Sequence, residues 1–196
     1  MRTNQESLQV VYHDAIHRIL SELARHNEGI SLAVTSVHSG DGVTHTVLNL
    51  KEALQATPNI RVQQVDAAAL RAPVADPQHS PIIESPGQDW DPIQASLERR
   101  RSSMLDQRTV IKSYVDAVDV LLIDCPALDR GGEAVSLSTA ITGVLLVVRA
   151  GRTTKAELIQ AERRITTAGG HIFGFVLNRT ASSAFSSWSQ RWNRSK

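Results

Sequence analysis

The residues best suited to chemistry lie in a glycine-containing turn, SGDGVTH at positions 39–45, that follows a short apolar segment. Backbone N–H groups in such a turn, and at the start of a helix that follows it, bind anions such as phosphate. The hydroxyl of Thr44 stands where a phosphate-binding loop places a ligand for Mg²⁺. The strict pattern G-x-x-x-x-G-K-[ST] also requires glycine and lysine where this chain has Val37 and Val43. The turn alone leaves two interpretations open, a phosphate site and an ordinary turn between a strand and a helix.

Two aspartates form the second group of candidates, because each one ends a predicted strand. Asp124 ends the apolar run VDVLLID, and Asp66 ends the weaker run that begins at Ile60. A carboxylate at such a position either holds Mg²⁺ through water or is an ordinary polar residue at a strand end. Both alternatives stay open on the residues alone.

The spacing of apolar residues predicts helices and strands that alternate along the chain. Apolar residues three and four apart predict helices, and short, nearly continuous apolar runs predict buried strands. Helices are predicted over residues 5–26, 44–55, 93–115 and 153–168. Strands are predicted over residues 30–36, 60–65, 118–124, 143–149 and 172–177.

These elements divide the chain into three parts of unequal length. Residues 1–29 are predicted to hold an N-terminal amphipathic helix, and residues 30–179 to form the main domain. Within that domain, residues 72–92 contain five prolines and predict a loop excursion. Residues 180–196 are rich in serine, tryptophan and arginine and predict a loosely held tail.

Strands separated by helices of crossover length predict an α/β fold, with helices covering both faces of a parallel sheet. Ligands of such folds bind beyond the carboxyl ends of the strands. This rule predicts that the segments after the strands meet at one edge of the sheet. Those segments are 36–45, 66–71, 124–128, 149–154 and 178–179.

Composition restricts the remaining classes of function. The 196 residues are 41% hydrophobic and 21% charged, as in an ordinary globular protein. A net charge of +1 argues against a strongly basic nucleic-acid-binding protein, and the single cysteine excludes a Cys-rich zinc module. The first twenty residues do not resemble a signal peptide, and no run of about 18 apolar residues occurs. We therefore expect a cytoplasmic protein.

Several stretches, taken in order, resemble the cytoplasmic kinase domain of the bacterial tyrosine autokinases of polysaccharide synthesis and export. Those kinases belong to the wider family of MinD- and ParA-like P-loop ATPases. The matching stretches are AVTSVHSGDGVTHTVLNLKEAL (33–54), VDAAALRAP (65–73), YVDAVDVLLIDCPAL (114–128), GVLLVVRAGRTTKAEL (143–158) and GGHIFGFVLNR (169–179). The resemblance covers about residues 30–179 and implies a P-loop NTPase-like fold of the MinD/ParA type.

The resemblance also implies a nucleotide site with Mg²⁺. The cofactor-binding positions would be the turn and one later residue, namely Gly40, Asp41, Gly42, Val43, Thr44, His45 and Asn178. Of these, Asn178 would contact adenine. Thr44 and Asp124 would hold Mg²⁺, and Asp66 and Asp124 would correspond to the acidic residues of catalysis.

The chain departs from the family at positions that carry the chemistry. The phosphate-contacting lysine falls on Val43, and the additional lysine of ParA-like relatives falls on His38. An alanine replaces the second aspartate of the motif that begins at Asp66, and Ala127 replaces the proline of the next motif. The tyrosine-rich tail of the family falls on residues 180–196, which contain no tyrosine.

These departures predict a degenerate, catalytically inactive protein. Phosphoryl transfer depends on positioned positive charge, and removing one such group typically lowers the rate by about 100- to 1000-fold. The residues Asp66 and Asp124 would then be vestigial. Backbone amides, Thr44 and Asn178 still predict weak binding of ATP or ADP with Mg²⁺.

The resemblance implies a role in exopolysaccharide or capsule biosynthesis and export. The expected partner is the cytoplasmic tail of a membrane chain-length-determinant protein, a polysaccharide co-polymerase, which would hold the chain at the inner face of the cell membrane. Assembly into a homo-oligomer is compatible with this role, and nucleic acid is not an expected ligand. Two alternatives stay open: an active ATPase or tyrosine kinase of the same pathway with an atypical loop, and a ParA- or MinD-like positioning ATPase.

Overall fold

A computed structural model describes residues 12–26, 28–70 and 107–178. The described strands are β1 (Ile30–Ser36), β2 (Val62–Asp66), β3 (Val120–Asp124), β4 (Gly143–Arg149) and β5 (Ile172–Asn178). The described helices are α1 (His13–His26), α2 (Val43–Gln55), α3 (107–117), α4 (Glu133–Leu137) and α5 (Lys155–Thr167), with a 3-10 turn at Ala67–Leu70. The predicted excursion at 72–92 and the predicted tail at 180–196 lie outside the described residues.

The five strands form one parallel sheet in the order β2-β3-β1-β4-β5. The central strand β1 pairs with β3 on one side and with β4 on the other. Because every pairing is parallel, all five carboxyl ends lie at the same edge of the sheet. The predicted α/β fold with a parallel sheet is confirmed, and so is the convergence of the segments that follow the strands.

Helices cover both faces of the sheet, which explains why the strands read as continuous apolar runs. All seven residues of β1 are buried. On one face, Leu32 and Val34 pack with Ile19 of α1 and Leu50 of α2. On the other face, the core is formed by residues of the strands, α3, α4 and α5, among them Ala33, Leu121, Ile123, Ile111, Leu137 and Ile165.

The structure corrects several predicted boundaries. Helix α2 begins at Val43, one residue earlier than predicted, because Gly42 serves as its N-cap. Strand β3 begins at Val120 rather than at residue 118, and α5 begins at Lys155 after the N-cap Thr154. The short helix α4 was not predicted, since five residues are too few to show a helical period.

Two further features concern an exposed apolar residue and the possibility of a membrane span. Leu48, counted among the apolar residues of the predicted helix, is half exposed in α2 instead of joining the core. No helix within residues 12–26, 28–70 and 107–178 is both long enough and apolar enough to cross a membrane.

Candidate functional site

A cleft of about 360 Å³ opens at the carboxyl edge of the sheet, where the fold predicts a ligand. Its lining residues come from the turn after β1, the start of α2 and the ends of β2 and β3. They are Ser36, Ser39, Gly40, Gly42, Val43, Thr44, His45, Asp66, Asp124, Cys125, Pro126 and Ala127. The structure thus brings together most of the predicted site, whereas Asp41 and Asn178 do not line the cleft.

The turn after β1 depends on glycine at two positions. Gly40 and Gly42 have φ angles of +82° and +94°, in the left-handed region that favours glycine. A Cβ atom at position 42 would collide with the side-chain amide of Asn178. Gly42 begins α2 without any side-chain cap, so the first-turn N–H groups of this helix are left for a ligand or water.

The acidic half of the cleft is built by two neighbouring strands. Asp66 of β2 and Asp124 of β3 are register partners at the carboxyl ends of their strands. Burial raises the pKa of Asp124; a hydrogen bond with Thr44 opposes this effect, and the charge of Asp66 adds to it. Asp66 is exposed, and its carboxylate accepts a hydrogen bond of 2.7 Å from the backbone of Ala68.

These groups fit the protein side of a magnesium site. Thr44 supplies a hydroxyl and Asp124 a carboxylate, the hard oxygen ligands that Mg²⁺ prefers, and Thr44 lies near enough to lower the pKa of Asp124. Within the described ranges there is no group of three or more His, Cys, Asp or Glu side chains that could hold a metal. The arrangement therefore suits an ion whose other ligands are phosphate oxygens and water.

The cleft lacks positive charge where a phosphate loop needs it. None of the described residues that line it is lysine or arginine. Val43, at the position of the missing lysine, is partly buried and packs against the core beneath α1 and α2. Lys51 follows two turns later in α2, on the order of 10 Å along the axis, so it cannot replace the lysine from there.

Asp41, predicted to bind the cofactor, instead points away from the cleft. Its carboxylate has no exposed surface and lies 3.1 Å from the guanidinium of Arg152. Asn178 also supports the turn: its Nδ2 donates a 2.8 Å hydrogen bond to the backbone oxygen of Asp41. The predicted contact of Asn178 with adenine stays a prediction.

Sequence reasoning missed Arg152, which reaches the turn from the loop between β4 and α5. That loop is shaped by Gly151, with φ at +75°, and by a capping box in which Thr154 and Glu157 bond each other's backbone N–H. No sequence pattern could have paired Arg152 with Asp41, because 111 residues separate them. The predicted meeting of segments 36–45 and 149–154 brings the two residues to the same edge, but it does not specify which polar side chains pair there.

His38 also turns outward. Its Nε2 lies 3.0 Å from Glu157 of α5, and its Nδ1 lies 3.8 Å from Asp129. Asp129 in turn accepts hydrogen bonds of 3.0 and 3.1 Å from the backbone N–H of Ser39. His38 and Asp129 thus contribute to holding the turn against its neighbours.

Three other reactive side chains are buried or partly buried. Cys125 lines the cleft but is buried, and burial together with nearby carboxylates raises the pKa of its thiol. Tyr12 is only 7% exposed, and Tyr114 on α3 packs against the core beneath the opposite face. Tyr12 is therefore buried, and Tyr114 is partly buried.

Comparisons with solved structures identify the fold of the chain. No family model and no curated relative matches the sequence. Among solved structures, the kinase domain of the Escherichia coli tyrosine kinase ETK is 21% identical, with a TM-score of 0.58; the match covers 84% of this chain and 73% of that one. The VpsO kinase domain is 19% identical, with a TM-score of 0.60, covering 92% of this chain and 98% of its own. The BceF tyrosine kinase domain is 22% identical, with a TM-score of 0.54 and coverages of 88% and 76%.

The likeness to these structures is one of fold. It confirms the resemblance to bacterial tyrosine kinase domains that the sequence predicts for residues 30–179, at the level of the backbone. The assignment of the individual site residues rests on the geometry described above.

Proposed function

We propose that this chain is a catalytically inactive relative of the bacterial tyrosine autokinases that acts by binding instead of by phosphoryl transfer. The observation that carries the proposal is the charge of the cleft. Asp66 and Asp124 face it, whereas none of its described lining residues is lysine or arginine. A hydrogen bond to a charged group is worth about 1.5–3 kcal/mol, so the cleft lacks an interaction that phosphates and the transition state require.

The tyrosines give independent support. The chain contains two, and both are packed against the core. A kinase that modifies its own tyrosines needs an exposed acceptor, whereas Tyr12 is only 7% exposed and Tyr114 is partly buried against the core.

The proposed role is that of a cytoplasmic partner in exopolysaccharide or capsule assembly, docked on the tail of a membrane chain-length-determinant protein. This part rests on the sequence resemblance, which the fold supports. Nucleotide, where it binds at all, would bind weakly through the first-turn amides of α2 and through Thr44 and Asp124 with Mg²⁺.

Calorimetric titration with ADP and ATP, with and without Mg²⁺, tests the state of the cleft. We expect weak or no binding by the wild-type chain, and a roughly 10- to 100-fold gain in affinity for Val43→Lys, since the added ammonium would meet the phosphates. Leu48→Lys is the matched control, because it adds the same charge to an exposed position of α2 outside the cleft. Equal gains in both variants would show that added charge, and not the phosphate position, causes the effect.

The role in the pathway is tested by complementation in a strain that lacks this chain. We expect wild type and Asp124→Ala to restore the same distribution of polysaccharide chain lengths, because the function is binding. Failure of Asp124→Ala alone, together with ATP turnover by the purified wild type, would overturn the proposal.

One observation favours the active alternative. Thr44 and Asp124 both line the cleft, and together they offer the hydroxyl and the carboxylate that suit Mg²⁺. On this alternative the chain is an ATPase or tyrosine kinase with an atypical loop. It predicts ATP hydrolysis by the purified protein that Asp124→Ala abolishes, with the fold of the variant verified by circular dichroism.

A further inference from the structure

We infer that Asp41, Arg152 and Asn178 form a clamp that holds the turn of residues 39–42 in its phosphate-ready shape without a bound phosphate. The inference rests on the proposed function and deepens it. These three residues would make the shape of the turn independent of nucleotide. All three are positioning residues, since none of them lines the cleft.

The turn needs such support because of its own backbone. Two of its four residues are glycines in left-handed conformations. Glycine loses more conformational freedom on ordering than any other residue, so a turn of this kind opens readily unless it is tied to its surroundings.

Arg152 supplies the first tie. Its Nη1 donates a 2.9 Å hydrogen bond to the backbone oxygen of Ser39 and lies 3.1 Å from the carboxylate of Asp41. The hydroxyl of Thr153 lies 3.5 Å from the other oxygen of that carboxylate. Because Asp41 is fully buried, its charge is tolerated only while these partners stay in place, and the turn is held wherever Arg152 is held.

Asn178 supplies the second tie, from the end of β5. Its side-chain amide donates to the backbone oxygen of Asp41 and fills the space beside Gly42. Asn178 is itself fixed, because it is the register partner of Arg149 and its backbone oxygen accepts a 3.0 Å bond from Ala150. The clamp therefore transfers the rigidity of β4 and β5 to the turn after β1.

The clamp leaves the cleft itself open. None of its three residues lines the cleft, and α2 begins without a side-chain cap. A turn that only its ligand orders would lose conformational entropy at the moment of binding. Here the turn loses this conformational entropy during folding, so it keeps one shape whether or not nucleotide is bound.

Hydrogen–deuterium exchange of the nucleotide-free protein tests the clamp. We expect slow exchange in peptides that cover residues 38–46 of the wild type. Arg152→Met should speed this exchange by 10-fold or more, and Arg152→Lys should restore part of the protection, since it keeps the charge and loses the planar fork. Arg163→Met is the matched control. Arg163 is exposed on α5, the helix that follows the loop of Arg152, and it lies away from the turn.

Two outcomes would overturn the inference. In the first, the wild-type protein exchanges as fast as Arg152→Met, and its exchange slows only when magnesium ADP is added. The ligand, and not the clamp, would then order the turn. The other is unchanged exchange in Arg152→Met. If the unpaired Asp41 prevents that variant from folding, Asp41→Asn combined with Arg152→Met removes the buried charge and keeps the test valid. ATP turnover and complementation are measured separately, so failure of the clamp and failure of the proposed function are distinguishable.

Discussion

Two polar clefts of similar size lie at opposite edges of the sheet. The cleft at the carboxyl edge measures about 360 Å³ and the cleft at the amino edge about 380 Å³. The amino-edge cleft is lined by Leu23, Glu28, Gly29, Arg61, Lys112, Val115, Asp116, Val118 and Asp119. Volume and polarity thus do not separate a candidate binding site from an ordinary surface groove in this molecule.

The pairing of charges separates the two clefts. At the amino edge, Arg61 donates hydrogen bonds to both oxygens of Asp119, and Lys112 lies 3.0 Å from Asp116. The hydrogen bond from Arg61 lowers the pKa of Asp119, whereas burial raises the pKa of Asp124 at the carboxyl edge. Two of the amino-edge carboxylates, Asp116 and Asp119, are thus paired with cations of the protein itself. At the carboxyl edge, Asp66 and Asp124 line a cleft whose described lining contains no lysine or arginine, next to the start of α2, which has no side-chain cap.

The largest effect that would sharpen this comparison is expected for Arg152→Ala. This variant leaves the carboxylate of Asp41 buried without its partner, so we expect the free energy of unfolding to fall by about 2–3 kcal/mol. This loss is smaller than the loss for fully buried ion pairs, because the side chain of Arg152 is 43% exposed. Urea unfolding measures the loss. Lys112→Ala, which removes an exposed ion pair at the amino edge, is the comparison, and an equal loss there would contradict the distinction.

A smaller loss is expected for Gly42→Ala. A side chain at a φ of +94° costs about 1–2 kcal/mol, and the added Cβ would push Asn178 away from the turn. Gly132→Ala is the control, because Gly132 has a φ of −111° and open space around its Cβ position. Thermal unfolding of the two variants side by side checks the prediction; equal melting temperatures would argue that the turn tolerates the strain.

The smallest effects are expected from pH, with opposite signs at the two edges. The raised pKa of Asp124 means that stability is lost as the pH rises through its folded-state pKa, so Asp124→Asn should raise the melting temperature at neutral pH. The lowered pKa of Asp119 means that its contribution is present at neutral pH and is lost on acidification, so Asp119→Asn should lower the melting temperature there.

Melting curves from pH 7 down to acid, recorded with a chelator to exclude bound cations, test both statements. Both differences from wild type should shrink at low pH, where each carboxylate is protonated in the folded and unfolded states alike. Shifts of the same sign at neutral pH would mean that the two edges do not differ as described.

Much of the fold was predictable because long apolar runs leave few alternatives. Strands β1 and β4 match the predicted ranges, since each is a continuous apolar run bounded by polar or glycine residues. The predicted end of α5 was one residue too late, and α4 was missed, because helix ends and single turns have weak periodicity. The cleft itself followed from the rule that the carboxyl ends of parallel strands meet.

The sequence predicts many of the residues that line the cleft, but it also places Asp41 and Asn178 in the site, and neither lines the cleft. The sequence by itself determined that position 43 carries no lysine, that a helix follows the glycine turn, and that only two tyrosines exist. Local patterns suffice for these statements, because each depends on residue type and on spacing within one or two elements.

Only the tertiary structure decided that Asp41 faces Arg152 and not the cleft, that Asn178 supports the turn, and that burial raises the pKa of Asp124. Each of these depends on contacts between strands that helical crossovers separate in the chain. Hydrophobic periodicity specifies which face of an element is buried, but it does not specify which polar side chains meet where several elements end. The direction in which Asp41 points therefore follows from the ends of β4 and β5, more than a hundred residues away.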